Sequence, residues 1–287
     1  MKICRFDDQR VGVVEGNEVL DVTECIGVLP TQAWPFPTYD VFVANWPLIQ
    51  KEILRIKAHA QRLPLASVKL LSPIANPNKI IGIAGNRKNR DSDVIDFGPG
   101  VELNNTRRES DPPRMFLKAN SALCGASAGV ALRFLDRRTD PEAEFTYVIG
   151  KQGSCIPIEE AMDYIFGYTI GIDMSLRGGE PPSTRKSIDT YAMVGPWVVT
   201  PDEVPDPDSI GFTLTVNGKV MQQANTRDCQ FGPAEIISHL STFYTLYPGD
   251  IIMAGSPLGF DRVYPGDKLI ADFDHIGKMA FEIHKFE

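Results

Sequence analysis

The first 30 or so residues alternate apolar and polar positions, and the alternation breaks at Asp7-Asp8 and at Gly16-Asn17. Successive side chains of a strand point to opposite faces, so this pattern predicts a small antiparallel sheet. Residues 45–63 differ, because isoleucines recur there at helical spacing behind a proline in the first turn, with Asn45 placed to cap. This segment is predicted to be one amphipathic helix.

After a break rich in proline and asparagine, the pattern becomes that of a strand-rich protein. Asn217-Gly218 stands between two alternating stretches, which predicts a type I′ hairpin, and a later helix is predicted to end at Pro248-Gly249. The regular βαβ alternation of a doubly wound sheet is missing. We therefore expect a strand-rich α+β fold with a small N-terminal α/β domain, residues 1–75, and a catalytic domain, residues 76–287.

Composition narrows the function. A net charge of −8 and a pI near 5.1 argue against binding nucleic acid or an anionic membrane through a general electrostatic field. Five scattered cysteines without C-x-x-C spacing indicate reduced thiols and a cytosolic location. The beginning of the chain has no apolar signal segment, and no stretch reaches the length of a membrane span. A small-molecule ligand is the expected partner.

Acids stand at every second position, Asp140, Glu142 and Glu144, directly ahead of an apolar stretch. On a strand, Glu142 and Glu144 would share one face with Cα atoms roughly 6.5 to 7 Å apart, so a cation could lie between them. Acid-x-acid alone is a weak signal. Asp173 strengthens it, because an unpaired carboxylate among isoleucines would be costly to bury. Three carboxylates without histidine favour Mg²⁺ or Mn²⁺ over zinc.

The charge of such a centre limits its substrate. Three carboxylates around a dication leave a net charge near −1, so an acidic substrate would need cations close by. Arg177, Lys186 and Lys118 are the candidates for that role.

Several segments resemble the fumarylacetoacetate hydrolase family in order and rough spacing. They are DPEAEFTYVIGK, GYTIGIDMSLR, KSIDTYAMVGPWVVT, VNGKVMQQANT, LYPGDIIMAGSPLGF and VYPGDKL. The resemblance covers about residues 78–284. It implies a mixed β-sandwich roll, usually a homodimer, that holds Mg²⁺ or Mn²⁺ and acts on a 2-oxo acid.

The resemblance also implies residue roles. Glu142, Glu144 and Asp173 match the family's metal ligands, while Lys186 and Arg177 match a lysine and an arginine that contact substrate or metal-bound water. Asp140 is then expected to orient the beginning of this strand or a side chain that supports the metal ligands.

Three more residues are assigned to substrate binding on the same resemblance. Lys118 matches the lysine of a Phe-x-Lys segment near the family's active site, and Ser256 replaces the threonine of a Gly-Thr-Pro loop while keeping its hydroxyl. Asn86 closes the segment IAGN at the beginning of the polar stretch that resembles the family's lid.

The function implied is that of a divalent-metal-dependent hydrolase. It would cleave a C–C bond in a 2,4-dioxo acid such as an acylpyruvate, fumarylpyruvate or maleylpyruvate, with the metal chelating the 2-oxo acid and stabilising the enolate. Decarboxylation of a 2-oxo acid and isomerisation of a hydroxymuconate-type diene are alternatives at the same site.

The lid departs from the family pattern. Hydrolytic members commonly use a histidine–glutamate pair there, whereas this chain has Arg90 at the histidine position and Asp93 where the glutamate would fall. Arginine cannot act as a base near neutral pH. Either a lid acid activates water, with Asp93 the first candidate beside Asp91, Glu102 and Glu109, or the reaction needs no such pair.

Two hypotheses of other classes remain. GASAG, residues 125–129, matches the nucleophile elbow G-x-S-x-G, with Ser127 as nucleophile, but the following VALRFLD alternates like a strand where an elbow needs a helix. The second hypothesis is a family member that binds metal and a 2-oxo acid without turning it over.

Overall fold

The computed structural model describes residues 1–88, 111–257, 259 and 261–287. In chain order its strands are β1 (Lys2–Phe6), β2 (Arg10–Glu15), β3 (Glu18–Asp21), β4 (Gln61–Pro64), β5 (Leu70–Leu71), β6 (Ile80–Ala84), β7 (Arg114–Lys118), β8 (Leu123–Cys124), β9 (Val130–Leu132), β10 (Thr139–Asp140), β11 (Ala143–Ile149), β12 (Ile165–Asp173), β13 (Ser175–Leu176), β14 (Ala192–Val199), β15 (Gly211–Val216), β16 (Lys219–Asn225), β17 (Ile251–Met253), β18 (Lys268–Phe273) and β19 (Gly277–Lys285). The α-helices are α1 (Val41–Ala44), α2 (Trp46–Ile56), α3 (Pro182–Arg185) and α4 (Pro233–Phe243).

Within the described residues these strands form three sheets. Ten strands of the largest sheet follow the order β4-β3-β2-β1-β14-β12-β11-β17-β6-β7, with β5 paired to β1 and β8 paired to β14. A second sheet has the order β16-β15-β18-β19-β9, and β10 pairs with β13 alone. Both parallel and antiparallel pairs occur, since β17 runs parallel to β6 and antiparallel to β11. The predicted strand-rich α+β fold is confirmed.

The main hydrophobic core lies between the two larger sheets. It combines residues of β11 and β12, including the stacked rings of Phe145 and Tyr168, with residues of the second sheet, including the stacked rings of Phe212 and Phe273. Strands that contribute to such a sandwich are buried on the facing side, which explains the long apolar segments around the acids.

The N-terminal segment forms the predicted antiparallel sheet. The predicted helix over residues 45–63 is shorter than expected, because α2 ends at Ile56 and the chain joins the sheet as β4, which pairs with β3. α2 buries Ile49 and Ile53 against β1 to β3, although Asn45 does not cap it and instead donates its side-chain N–H to the carbonyl of Val41 at 2.8 Å. β1 also pairs with β14, with Ile3 opposite Val198, so the largest sheet continues from this segment into the rest of the chain. The division into domains at residue 75 stays a prediction.

Two local predictions have different outcomes. The hairpin between β15 and β16 is confirmed, since Asn217 and Gly218 both have positive φ, 51° and 81°. The predicted end of the later helix is wrong: α4 ends at Phe243, because Leu246 pairs with Gly153 as an extended bridge and draws the chain out of the helix before Pro248-Gly249. No helix within the described residues is long and apolar enough to cross a bilayer.

Candidate active site and metal centre

Glu142, Glu144 and Asp173 meet where two neighbouring strands pair. β11 and β12 run antiparallel with Glu144 opposite Gly171, and the N–H of Asp173 donates to the carbonyl of Glu142 at 2.8 Å. Residues opposite each other in antiparallel strands carry side chains on one face, so this register brings Asp173 beside both glutamates. One carboxylate oxygen of each lies within 4.8 Å of the others, and all three residues are buried. We call this set the acidic cluster.

Two buried lysines donate hydrogen bonds to the acidic cluster. Nζ of Lys186 donates to Oε2 of Glu142 at 2.9 Å and to Oδ2 of Asp173 at 2.5 Å. Lys118, the last residue of β7, donates to Asp173 and to the carbonyl of Lys186. The sequence selected both lysines, and the structure places both ammonium groups on the cluster.

Arg177 holds Glu142 from another direction. Its Nη2 donates to Oε1 of Glu142 at 2.9 Å, and its Nε donates to Oδ2 of Asp140 at 2.7 Å. The pairing of β10 with β13 sets Asp140 opposite Ser175, whose hydroxyl also donates to Oε1 of Glu142 at 2.8 Å. Asp140 therefore orients an arginine behind the cluster.

The charge of this region is easily counted. Among the described residues, four buried carboxylates lie with three buried cations: Asp140, Glu142, Glu144 and Asp173 with Lys118, Arg177 and Lys186. One negative charge is in excess, apart from a partly exposed guanidinium of Arg138 that donates to Asp140 at 2.8 Å. A dication on the three carboxylates alone would leave −1, and the three cations expected on that ground are all present. Together with Asp140 and these cations, the metal-bound site carries about +1.

The excess charge falls on Glu144. Burial, followed by the carboxylates of Asp173 and Glu142, raises the pKa of Glu144 well above its ordinary value. Burial also raises the pKa of Glu142, but Lys186 and Arg177 outweigh it and lower that pKa to about 2. Glu142 is thus ionised and held in place, whereas Glu144 is the carboxylate whose charge a bound cation would stabilise most.

Burial and the neighbouring carboxylates shift the pKa values of the two lysines in opposite directions. Burial lowers the pKa of Lys186, yet Asp173 and Glu142 more than compensate and raise it. For Lys118 burial dominates, so its pKa is lowered in spite of Asp173. Lys186, which contacts two carboxylates, is therefore the more firmly charged of the two.

The loop after β17 contributes a backbone donor to the cluster. The N–H of Gly255 donates to Oε2 of Glu144 at 2.8 Å. Gly255 has a φ of 97°, and a Cβ there would lie 2.8 Å from the carbonyl oxygen of Ile83, so the position requires glycine. Ser256 accepts a hydrogen bond from Nε2 of Gln222 at 2.9 Å, and Oε1 of Gln222 accepts the N–H of Ala143 at 2.9 Å. The serine hydroxyl is thereby tied to the strand that carries Glu144.

Asn86 fastens two loops together. Its Nδ2 donates to the carbonyls of Phe231 at 3.0 Å and Ala254 at 2.9 Å, and its Oδ1 accepts the N–H of Phe231 at 2.8 Å. It also lines a cavity of about 290 Å³ that Gly255 and Pro257 border. Its assignment to substrate binding stays a prediction, as do those of Lys118 and Ser256.

The lid predictions fall outside the described residues. Arg90 and Asp93 lie in residues 89–110, together with the other lid acids that were considered. Their proposed roles remain predictions.

Ser127 does not have the surroundings of a nucleophile elbow. It is exposed in a single 3₁₀ turn, Ala126–Ala128, and strand β9 follows, whereas an elbow needs a helix there. All four histidines are described, and none belongs to the acidic cluster.

Sequence reasoning missed several residues of this site. Ser175, Gln222 and Gly255 act through hydrogen bonds that no motif announces, since their partners are 33 or more residues away. Arg185 was also missed, although it directly precedes Lys186 in the sequence.

Comparison with known proteins identifies the family. Residues 79–284 match the profile described as Fumarylacetoacetate (FAA) hydrolase C-terminal. The chain belongs to the fumarylacetoacetate hydrolase family. The resemblance drawn from the quoted segments, over residues 78–284, is confirmed.

Relatives of this fumarylacetoacetate hydrolase family member extend the match to the whole chain. A maleylpyruvate hydrolase of Aquipseudomonas alcaligenes is 45% identical over 284 residues, 99% of either chain. A crystal structure of maleylpyruvate hydrolase from Sphingobium sp. SYK-6, in complex with manganese(II) and pyruvate, is 33% identical with a TM-score of 0.84 and full coverage of both chains. A mitochondrial oxaloacetate tautomerase of Xenopus laevis is 33% identical over 231 residues, 76% of this chain and 69% of that one.

The acidic cluster fits a divalent cation. It offers three carboxylates at ligand spacing, carries an excess negative charge, and includes one glutamate that makes a single hydrogen bond to the N–H of Gly255. Hard cations such as Mg²⁺ and Mn²⁺ prefer such oxygen donors.

Proposed function

We propose that this protein hydrolyses maleylpyruvate, or a 2,4-dioxo acid close to it, at a Mg²⁺ or Mn²⁺ ion held by Glu142, Glu144 and Asp173. The observation that carries the proposal is the 45% identity to a maleylpyruvate hydrolase over 99% of both chains. The predicted class of enzyme, a metal-dependent C–C bond hydrolase, is confirmed by that relative and by the family match.

The charges at the acidic cluster support an acidic substrate. A divalent cation would polarise the oxo group of a 2-oxo acid and stabilise the negative charge that develops as the C–C bond breaks. With that ion, the cluster carries about one positive charge, which one substrate carboxylate neutralises. Lys186 and Arg177 keep Glu142 ionised and oriented, and Lys118 donates to Asp173 and holds it in place.

Hydrolysis of maleylpyruvate adds hydroxide to the acyl carbonyl, which gives maleate, and a proton to the departing carbon, which gives pyruvate. We retain Asp93 as the proposed acceptor of the proton from water, and Arg90, at the histidine position of the lid, among the proposed catalytic residues with Lys186 and Arg177. Ser256 and Asn86 are retained as residues that shape the substrate site.

A second candidate is isomerisation or decarboxylation of a 2-oxo acid at the same centre. The 33% identical oxaloacetate tautomerase favours it, because moving a proton between carbon and oxygen needs no activated water. The homodimer and the cytosolic location predicted from the sequence are also part of the proposal; light scattering of the purified protein tests the former.

The experiment that tests the proposal follows the enol absorbance of maleylpyruvate, acetylpyruvate and oxaloacetate with Mn²⁺ and then with EDTA, with maleate and pyruvate quantified by chromatography. We expect Mn²⁺-dependent formation of equal amounts of maleate and pyruvate, which EDTA abolishes. Loss of enol absorbance without either product would replace hydrolysis with isomerisation. Turnover of oxaloacetate alone, or cleavage unaffected by EDTA, would overturn the proposal.

A further inference from the structure

Arg185 presents a guanidinium nitrogen that no described residue satisfies. Its Nη1 is buried from solvent and has no hydrogen-bond partner. The other cations of the site differ, because Lys118, Lys186 and Arg177 each donate to a carboxylate of the cluster or of Asp140. Leaving a buried charged donor without an acceptor is unfavourable, so such a group commonly binds a ligand or an ordered water.

The acid on the same segment is not available to Arg185. Glu180 forms a two-pronged pair with Arg137, Nη1 to Oε1 and Nη2 to Oε2, each at 2.7 Å. Nη2 of Arg137 also donates to the carbonyl of Arg177 at 2.9 Å, and a Cβ at Gly178 would lie 2.1 Å from that nitrogen. Arg137 therefore holds the segment before α3, and Glu180 is not the acceptor that Nη1 of Arg185 lacks.

Arg185 is the last residue of α3 and directly precedes Lys186, which donates to the acidic cluster. The N–H of Arg185 donates to the carbonyl of Pro181 at 3.1 Å, and that of Lys186 donates to the carbonyl of Pro182 at 3.0 Å. Burial lowers the pKa of Arg185 while Glu142 opposes that effect, which puts the guanidinium in the field of the cluster.

The net charge of the metal-bound site indicates what Arg185 could bind. With a dication the cluster carries about +1, enough for the carboxylate of a 2-oxo acid, whereas a dicarboxylic substrate brings one more negative charge. Arginine suits a second carboxylate, since its planar fork binds both oxygens and stays charged at any physiological pH.

We propose that Arg185 binds the carboxylate at the acyl end of the substrate and thereby makes the site selective for dicarboxylic over monocarboxylic 2,4-dioxo acids. This inference rests on the proposed function and specifies its substrate class. Arg185 is a specificity-determining residue on this proposal, because its partner lies away from the bond that breaks.

The test compares maleylpyruvate, which has two carboxylates, with acetylpyruvate, which has one. Arg185→Gln is expected to lower kcat/KM for maleylpyruvate by roughly 10- to 100-fold, mainly through KM, because a charge-assisted hydrogen bond is lost. The same variant should change kcat/KM for acetylpyruvate by less than about threefold, since only the shared end remains to be bound. Arg185→Lys, which keeps the charge without the fork, should recover part of the loss.

Arg133→Gln is the matched control, because Arg133 is a partly exposed arginine that pairs with Asp189. This variant should leave kcat/KM for both substrates unchanged. Equal losses for the two substrates in Arg185→Gln would overturn the proposal, since they would place Arg185 at the shared 2-oxo acid end or in the fold; unchanged kinetics for both would overturn it as well.

Binding of maleate to the Mn²⁺-loaded protein, measured by calorimetry, separates this inference from the proposed function. If the wild type cleaves maleylpyruvate but Arg185→Gln keeps its preference and its maleate affinity, the inference fails and the function stands. If the wild type cleaves neither substrate yet binds maleate at least tenfold more tightly than Arg185→Gln, the function fails and the carboxylate site stands.

Discussion

Two kinds of buried carboxylate occur in this protein, and their hydrogen bonds distinguish them. Asp250 accepts the N–H groups of Lys79 and Tyr247, each at 2.8 Å, and pairs with the ammonium of Lys79 at 2.8 Å. Asp40 accepts three backbone N–H groups, from Val43, Ala75 and Asn76, at 3.0–3.1 Å. Each of these aspartates is one charge surrounded by donors.

The acidic cluster has the opposite balance. Glu144 accepts one backbone N–H, from Gly255, and lies beside two further carboxylates. A carboxylate that local backbone donors satisfy fastens the fold, as Asp40 does at the beginning of α1. A carboxylate placed against other carboxylates with few donors raises the free energy of the protein until a cation binds. The role of a buried acid is therefore indicated by the hydrogen-bond donors around it and not by its burial alone.

The largest expected effect lies in the acidic cluster. Asp173→Asn should lower kcat/KM by more than about 10³-fold, because it removes a charged ligand and the partner of Lys118 and Lys186. Mn²⁺ titration followed by electron paramagnetic resonance should show micromolar binding in the wild type and none in the variant. Retained micromolar affinity would contradict the assignment of this residue as a ligand.

Asp250→Ala should affect stability and not catalysis. It removes the carboxylate that pairs with the partly buried ammonium of Lys79 and leaves the N–H groups of Lys79 and Tyr247 without their acceptor, so the free energy of unfolding should fall by about 3 kcal/mol. Urea unfolding measures this loss, and Mn²⁺ affinity per folded molecule should be unchanged. A large loss of metal binding in the folded variant would show that the two kinds of carboxylate are not separable.

Asp40→Ala should have a smaller effect of the same kind. The cap of α1 and the two bonds to residues 75 and 76 are lost, and the expected cost is about 2 kcal/mol. Asp40→Asn keeps one oxygen acceptor and should restore part of the stability in the same urea experiment. Equal losses in the two variants would argue against the hydrogen bonds as the cause.

Glu144→Gln should stabilise the metal-free protein while abolishing activity. A carboxyl whose pKa is raised on folding binds a proton more tightly in the folded state, so the free energy of unfolding falls as pH rises above the unfolded value near about 4.3. In EDTA the wild type should lose stability as the pH rises above that value, and the variant, which has no carboxyl at this position, should lose less. Thermal melts at each pH provide the measurement; parallel curves for the two proteins would contradict the raised pKa.

Much of the site could be predicted from the sequence because its signals are local. Glu142 and Glu144 lie two residues apart before a strand, and Asp173 interrupts an apolar segment, so strand periodicity and the cost of burying a charge sufficed to select them. The Asn217-Gly218 hairpin was predictable for the same reason, since the turn type depends on two adjacent residues. The end of α4 was not, because a bridge between Gly153 and Leu246 decides it.

Strand periodicity, turn chemistry and the segments quoted above were enough to predict the strand-rich fold class, the three acids of the cluster and the family. The contacts of those acids depended on the fold: which carboxylate each predicted cation binds, that Asp140 holds Arg177, and that Nη1 of Arg185 has no acceptor among the described residues. The physical reason is range: periodicity and turn chemistry act over a few residues, whereas the charge balance of a buried site depends on side chains that only the pairing of distant strands brings together.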